Sequence, residues 1–441
     1  MGPGGWLAVG LLTLAAAGTA SGAERQLLHA GRLLTEAGYP AQPGMTLAIE
    51  GERIIAVERG FRTPGAMGWP EARVVDLRHA FVLPGLIDLH VHLTSPLGPG
   101  GPMRVMTETE ADLALRAARY AHQTLAAGFT TVVDLGTGRL EHELAIYAVR
   151  NAVSAGMLPG PRILAAGSPL APTGATRTGL FRLEVDRALP PQGVCDGVDD
   201  CRRATREQIA RGADVINLYN SGSLNDSWIA PRTFTDAEFA AIVETAHALG
   251  RIVIADGHTA DGINAALRAG VDVVDTAPWP DETSWRLMRE HDVTFVPHLY
   301  AFERVVEEPG DSASGAIRHR IPDDIMARLH EVRRRPPSAL RAYREGIRIA
   351  TGSDTGVIPH GENVGELEAL VRMGMRPAEV LRAATIDAAR ALRLDAQTGS
   401  LVPGKAADLI AVRASPIEDV GALREPVFIM ARGRAHVPDA H

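Results

Sequence analysis

The chain has 441 residues, 46% hydrophobic, 22% charged and 5% aromatic, with a net charge of −8. That is ordinary globular composition, so disordered, collagen-like and coiled-coil chains are excluded, and no basic tract offers a footprint for nucleic acid. Two cysteines are too few for a disulfide scaffold or a four-thiolate zinc site.

Trp6 to Ala17 is an apolar run without charge, followed by small residues to Ala23. It is too short for a comfortable membrane span and matches a signal-peptide core, with Ser21-Gly22-Ala23 as the cleavage site. Residues 1–23 are therefore expected to be removed on export to a periplasm or the extracellular space, and the mature chain is expected to have no membrane span. Next comes a strand-rich stretch, Gln26–Ala30, Met45–Glu50, Arg53–Glu58 and Arg73–Asp76, divided by Gly, Pro and Asp turns.

Eight apolar strand-like runs follow: Phe81–His90, Thr130–Leu135, Arg162–Ala166, Asp214–Tyr219, Ile252–Asp256, Val271–Asp275, Val293–Leu299 and Ile347–Gly352. Between them lie amphipathic helical patterns, among them Glu108–Ala127, Cys201–Arg211, Asp236–Leu249 and Ser338–Glu345. Strands alternating with helices predict a parallel sheet covered on its outside, and eight units over roughly 270 residues is the size of a (β/α)8 TIM barrel. A doubly wound open sheet is the competing fold. Arg376–Leu392 reads as one helix, and Leu401–Ala414 and Val427–Arg432 as strands that join the N-terminal strands in a small β-sandwich domain. The expected domains are thus 24–80 and 396–441 for the two halves of the small β-domain and 81–395 for the barrel. Long stretches at Pro169–Pro191 and Val305–Pro337 would lie over the barrel mouth as lids.

The densest chemical signal is Leu83-Pro-Gly-Leu-Ile-Asp-Leu-His-Val-His92. Strand alternation points His90 and His92 to one side, and two neutral imidazoles converging at a barrel mouth make half of a divalent-metal site.

With this segment the chain resembles the amidohydrolase superfamily, in particular its imidazolonepropionase-like and prolidase-like metallohydrolases. Gly128-Phe-Thr-Thr-Val-Val-Asp134, Ala350-Thr-Gly-Ser-Asp-Thr355 and Gly399-Ser-Leu-Val-Pro-Gly-Lys-Ala-Ala-Asp-Leu409 extend the likeness over nearly everything after the leader. The resemblance implies a metal-dependent hydrolase of amide or related C–N bonds. Of the family's six ligands, the strand-one pair falls on His90 and His92 and the strand-eight aspartate on Asp354. The bridging lysine position holds Asn217, the strand-five histidine position Asp256, and the strand-six histidine position Thr276. The resemblance therefore implies one divalent metal on His90, His92, Asp354 and Asp256. Zinc is the first expectation, and the added carboxylate also admits manganese or iron. Asp354 would act as both ligand and catalytic base.

Tyr219, His258, His298 and His360 follow strand ends near the mouth and are candidate substrate-binding residues, with Asn220 beside Tyr219. His247, in mid-helix, reads as structural. Whether Cys195 and Cys201 are bridged stays open, because a short bridge at a helix start is geometrically demanding. The substrate is expected to be a small-molecule amide or short peptide. The rival function is an inactive barrel that binds a ligand or a protein, since three ligand positions are substituted. The sequence leaves a homo-oligomer open.

Overall fold

The computed structural model describes residues 23–95, 107–136, 143–175, 192–222, 231–307 and 337–436, with a few isolated positions between them. The expected signal peptide and most of both expected lids lie outside the described residues.

Strands β1 (Arg25–Leu33), β2 (Gln42–Glu50), β3 (Arg53–Arg59) and β4 (Arg73–Pro84) share a seven-stranded sheet with β12 (Leu409–Val412), β13 (Phe428–Ala431) and β14 (Arg434–His436). The two ends of the chain meet where β12 pairs antiparallel with β4, Leu409 opposite Pro84 and Val412 opposite Phe81. Leu28, Leu33, Leu47, Ile49, Val82, Leu409 and Met430 form its buried face.

At Gly85 the chain leaves that sheet. β5 (Leu86–Val91), β6 (Phe129–Asp134) and β7 (Arg162–Ala165) are parallel, as are β8 (Ile216–Tyr219), β9 (Val253–Thr259), β10 (Val273–Trp279) and β11 (Thr294–Val296). Two seams close these sheets into a ring. Leu170 bridges to Leu218, and its N–H donates to Asn217 O at 2.8 Å. Across the other seam runs segment 347–355, bridged to Phe295 through Ile349 and to Val91 through Thr355. The fold is the (β/α)8 barrel that the strand–helix alternation predicts.

The helices are α1 (Glu110–Ala126), α2 (Glu143–Ser154), α3 (Val198–Arg211), α4 (Asp236–Ala248), α5 (Ala260–Ala269) and α6 (Glu282–Glu290). After them come α7 (Leu299–Glu307), α8 (Ser338–Arg344), α9 (Val364–Met373), α10 (Pro377–Ala383) and α11 (Ile386–Ala391). Their starts are local chemistry: Thr109 with Asp112, Thr235 with Glu238 and Asp281 with Ser284 make capping boxes on α1, α4 and α6. Ile87, Leu89, Val133, Leu135, Ile254, Val296 and Ala350 pack in the barrel core, and Ala388, Ala389 and Leu392 around α11 belong to the same cluster. No helix among the described residues is long and apolar enough to cross a membrane.

Several sequence expectations change, and the strand expected over Leu401–Ala414 is confined to Leu409–Val412. Phe81–His90 is not one barrel strand, because Phe81–Pro84 pairs with β1 and β12 in the other sheet. A Cβ at Gly85 would stand 2.1 Å from Thr130 Oγ1, so this crossing point has room only for glycine. Arg376–Leu392 is two helices, broken at Thr385 (φ −135°, ψ −95°). The strand expected over Val293–Leu299 ends at Val296, since His298 adopts φ +52° and α7 starts at Leu299.

Cys195 and Cys201 are disulfide-bonded, their Cα atoms 4.9 Å apart, which ties the segment before α3 to its first turn. His247 has the structural place expected of it, with Nε2 2.8 Å from Asp272 Oδ2.

Candidate metal centre and active site

The C-terminal end of β5 carries His90, buried, and leads into His92, half-buried. The segment after Ala350 brings Asp354 against them, and the Asp354 N–H donates to His90 O at 3.0 Å. Asp88 pins both segments. Its Oδ1 accepts from the N–H groups of His90 (3.1 Å) and Ser353 (3.0 Å), while Oδ2 accepts from Asn363 Nδ2 at 2.8 Å.

Three donor atoms converge at this point. His90 Nε2 and His92 Nε2 are 2.9 Å apart, and Asp354 Oδ1 lies 3.5 Å from the first and 3.2 Å from the second. Tetrahedral ligands 2.0–2.1 Å from a zinc ion stand about 3.3 Å from one another, so this triangle has metal-site dimensions. Asp354 Oδ1 is buried and makes no hydrogen bond, an orphan that an ion between the three atoms would satisfy. The donor set therefore fits a divalent metal.

The electrostatics agree. Burial disfavours a charged His90 imidazole, but the carboxylates of Asp275, Asp354 and Asp256 outweigh it and push its pKa up to about 10. The negative field thus draws a proton to the place where a cation would serve. Burial also works to raise the Asp354 carboxyl, yet His90 and His92 hold it below the ordinary aspartate value, so it is ionised at neutral pH.

Asp256, the fourth expected ligand, is not gathered with these three. The groups of donor atoms that converge are His90 with His92 and Asp354, and His90 with Asp275 and His298. The Oδ1 of Asp256 is instead the acceptor of Thr276 Oγ1 at 2.9 Å. Burial, reinforced by the charge of Asp275, raises the Asp256 carboxyl.

The other expected residues separate into two sets. Tyr219 and His258 are half-buried at the ends of β8 and β9, and the His258 ring lies 6.5 Å from that of Trp279. Burial lowers the His258 imidazole below its ordinary value. His298 and His360 are instead buried in the wall. His298 Nε2 is 2.8 Å from Asp275 Oδ1. His360 stacks on Tyr120 with ring centroids 4.3 Å apart, its Nδ1 3.2 Å from Thr124 Oγ1 and its Nε2 3.3 Å from His92 O. It backs His92 through that main-chain contact. Asn217 donates to Leu135 O at 3.0 Å, and Asn220 is fully buried beside Gly257.

Sequence reasoning missed Asp275. It is 1% exposed, and its Oδ2 accepts a hydrogen bond from His90 Nδ1. The available signal was the second aspartate of Val271-Asp-Val-Val-Asp275, which closes that strand-like run. Thr276 (φ +72°), inside β10 at its register shift, His298 (φ +52°), two residues past β11, and Asp354 (φ +57°) all lie in the left-handed region, which is costly for a β-branched threonine.

The sequence profile of the amidohydrolase family matches residues 81–435. The chain is 31% identical over 375 residues to ochratoxinase of Aspergillus niger, covering 78% of this chain and 72% of that one. It is 27% identical to imidazolonepropionase of Symbiobacterium thermophilum, covering 87% and 89%. A crystal structure of a Xaa-Pro dipeptidase with methionine bound in its active site superposes with a TM-score of 0.82 at 30% identity, over 94% of this chain and 100% of that one.

Proposed function

This chain belongs to the amidohydrolase family and is a hydrolase of carbon–nitrogen bonds, and from that premise we propose that it cleaves an amide, peptide or cyclic-amide bond of a small molecule with one divalent metal held by His90, His92 and Asp354. The observation that carries this reading is the convergence of His90 Nε2, His92 Nε2 and the orphaned Asp354 Oδ1. Two imidazoles and a carboxylate are zinc ligands, and three protein ligands leave a position open for chemistry. The ion would supply Lewis acidity, making water more acidic and polarising the scissile carbonyl.

The residues of the chain do the rest. His90 and His92 hold their Nε2 lone pairs toward one point. The ionised Asp354 carboxylate takes the proton of the attacking water and later gives it to the leaving nitrogen. Asp88 keeps Asp354 and His90 in register through the paired N–H groups of His90 and Ser353. Tyr219, His258 and Trp279, at neighbouring strand ends, supply surface for the substrate.

The test is a hydrolysis screen of the metal-replete protein against Xaa-Pro and other dipeptides, N-acyl amino acids and cyclic amides. The reading requires turnover that a chelator abolishes and zinc restores. Turnover indifferent to the chelator and to His92→Ala would overturn it. Bound metal without turnover on any of these would favour the rival function, a ligand-binding barrel.

A further inference from the structure

We infer that Asp275 is the positioning residue of His90, and that His298 acts on the centre only by holding Asp275. The carboxylate of Asp275 uses a different oxygen for each imidazole: Oδ2 accepts from His90 Nδ1, and Oδ1 lies 2.8 Å from His298 Nε2. An ionised carboxylate only accepts, so His90 Nδ1, hydrogen-bonded to Oδ2, carries the hydrogen. With the Nδ1 proton held by Asp275, Nε2 is the nitrogen that faces His92 Nε2 and Asp354 Oδ1 and whose lone pair would be offered to an ion.

The arrangement is rigid. Asp275, His90 and His298 are each at most 2% exposed. The His298 ring stands edge-on to that of His90, with centroids 4.4 Å apart. His298 Nδ1 lies 3.4 Å from Thr276 Oγ1, which in turn donates to Asp256. The three side chains also form a group in which a cation could be imagined. Asp275 Oδ2 is taken by the hydrogen bond from His90 Nδ1, while Oδ1 and His298 Nε2 meet as a close ion-pair contact outside hydrogen-bond geometry. His92 has no such support, its Nδ1 being buried without a hydrogen-bond partner among the described residues. The two histidines of one motif are thus unequal, and His90 is the one whose orientation is fixed.

The effect on metal affinity rests on the metal reading above; the hydrogen-bond geometry does not. Two measurements keep them apart. The first is 15N-resolved NMR of the wild-type chain, with and without zinc. A slowly exchanging proton on His90 Nδ1 is expected in both states, and its absence overturns the inference whatever the metal does. The second is zinc affinity by chelator competition. Asp275→Asn cannot satisfy both imidazoles, because its amide nitrogen only donates. Loss of an outer-shell partner costs metal affinity about 10–100-fold, and that loss is expected here. His298→Phe is expected to weaken zinc in the same direction in wild type but to add nothing in the Asp275→Asn background, as required of a residue acting through another. Wild-type zinc affinity in Asp275→Asn overturns the positioning role, and an equal loss from His298→Phe in both backgrounds overturns the claim that His298 acts through Asp275. A wild-type chain that holds no zinc defeats the metal reading alone and leaves the His90 Nδ1 proton as the deciding measurement.

Discussion

Thr276 Oγ1 donates to Asp256 Oδ1 at 2.9 Å across the parallel strands β9 and β10, where Asp256 is the register partner of Asp275. One hydroxyl therefore occupies one oxygen of the carboxylate that the sequence casts as the fourth metal ligand. Asp256→Ala is expected to change zinc affinity less than about threefold, whereas His92→Ala removes a ligand and should weaken it by more than ~100-fold, since ligands act as one coordination shell. Chelator competition on the two variants decides the matter, and comparable losses would return Asp256 to the ligand set.

Asp354→Asn keeps the shape of the side chain and removes the proton acceptor. The kcat on any amide found in the hydrolysis screen should fall at least ~100-fold, the scale of general-base loss. Metal content should be measured alongside, so that loss of the base is separated from loss of the ion. If turnover is largely retained, the base lies elsewhere, with His258 the next candidate.

Glu366 is fully buried and accepts the N–H groups of Leu299 (3.1 Å) and Tyr300 (2.7 Å) at the start of α7. Burial pushes its carboxyl up to about 7, against the pull of those N–H groups. The folded state therefore binds more protons than the unfolded state between the ordinary glutamate value near 4.5 and about 7. Stability from this group is full below that window and falls as pH rises through it, by about 3 kcal/mol across the window. Glu366→Gln should flatten the loss. Denaturant unfolding at pH 5 and pH 8 is expected to show the variant gaining on wild type at the higher pH, and an equal difference at both would refute the assignment.

At Gly257 a Cβ would stand 1.6 Å from Asn220 Oδ1. Gly257→Ala is expected to destabilise the chain by about 1–3 kcal/mol, the range for overpacking a filled site. Asn220 makes no side-chain hydrogen bond among the described residues, so Asn220→Ala should relieve most of the loss in the double variant. Strict additivity of the two changes in thermal unfolding would exclude the proposed clash.

The parts of the site legible in sequence are those written in local periodicity. His90 and His92 are two apart on a strand, which alternation reads, while Asp354 was placed by the resemblance of Ala350-Thr-Gly-Ser-Asp-Thr355 to the family's eighth strand. Asp275 escaped because its role comes from ring closure: β10 meets the side chains of β5 across the barrel interior, which no local pattern records. The hydrogen bond of Asp256 escaped for a related reason, its partner Thr276 being on the next strand. Gly85 and Thr385 mark two errors of continuity. Hydrophobic runs read straight through both, while the chain changes sheet at one and breaks a helix at the other.

The most direct test of the central claim is elemental analysis of the purified, dialysed chain, repeated on His92→Ala. The account predicts one tightly bound divalent metal per wild-type chain and a large loss of it in the variant. Two metals per chain, or a metal-free chain that still hydrolyses its amide, would contradict it.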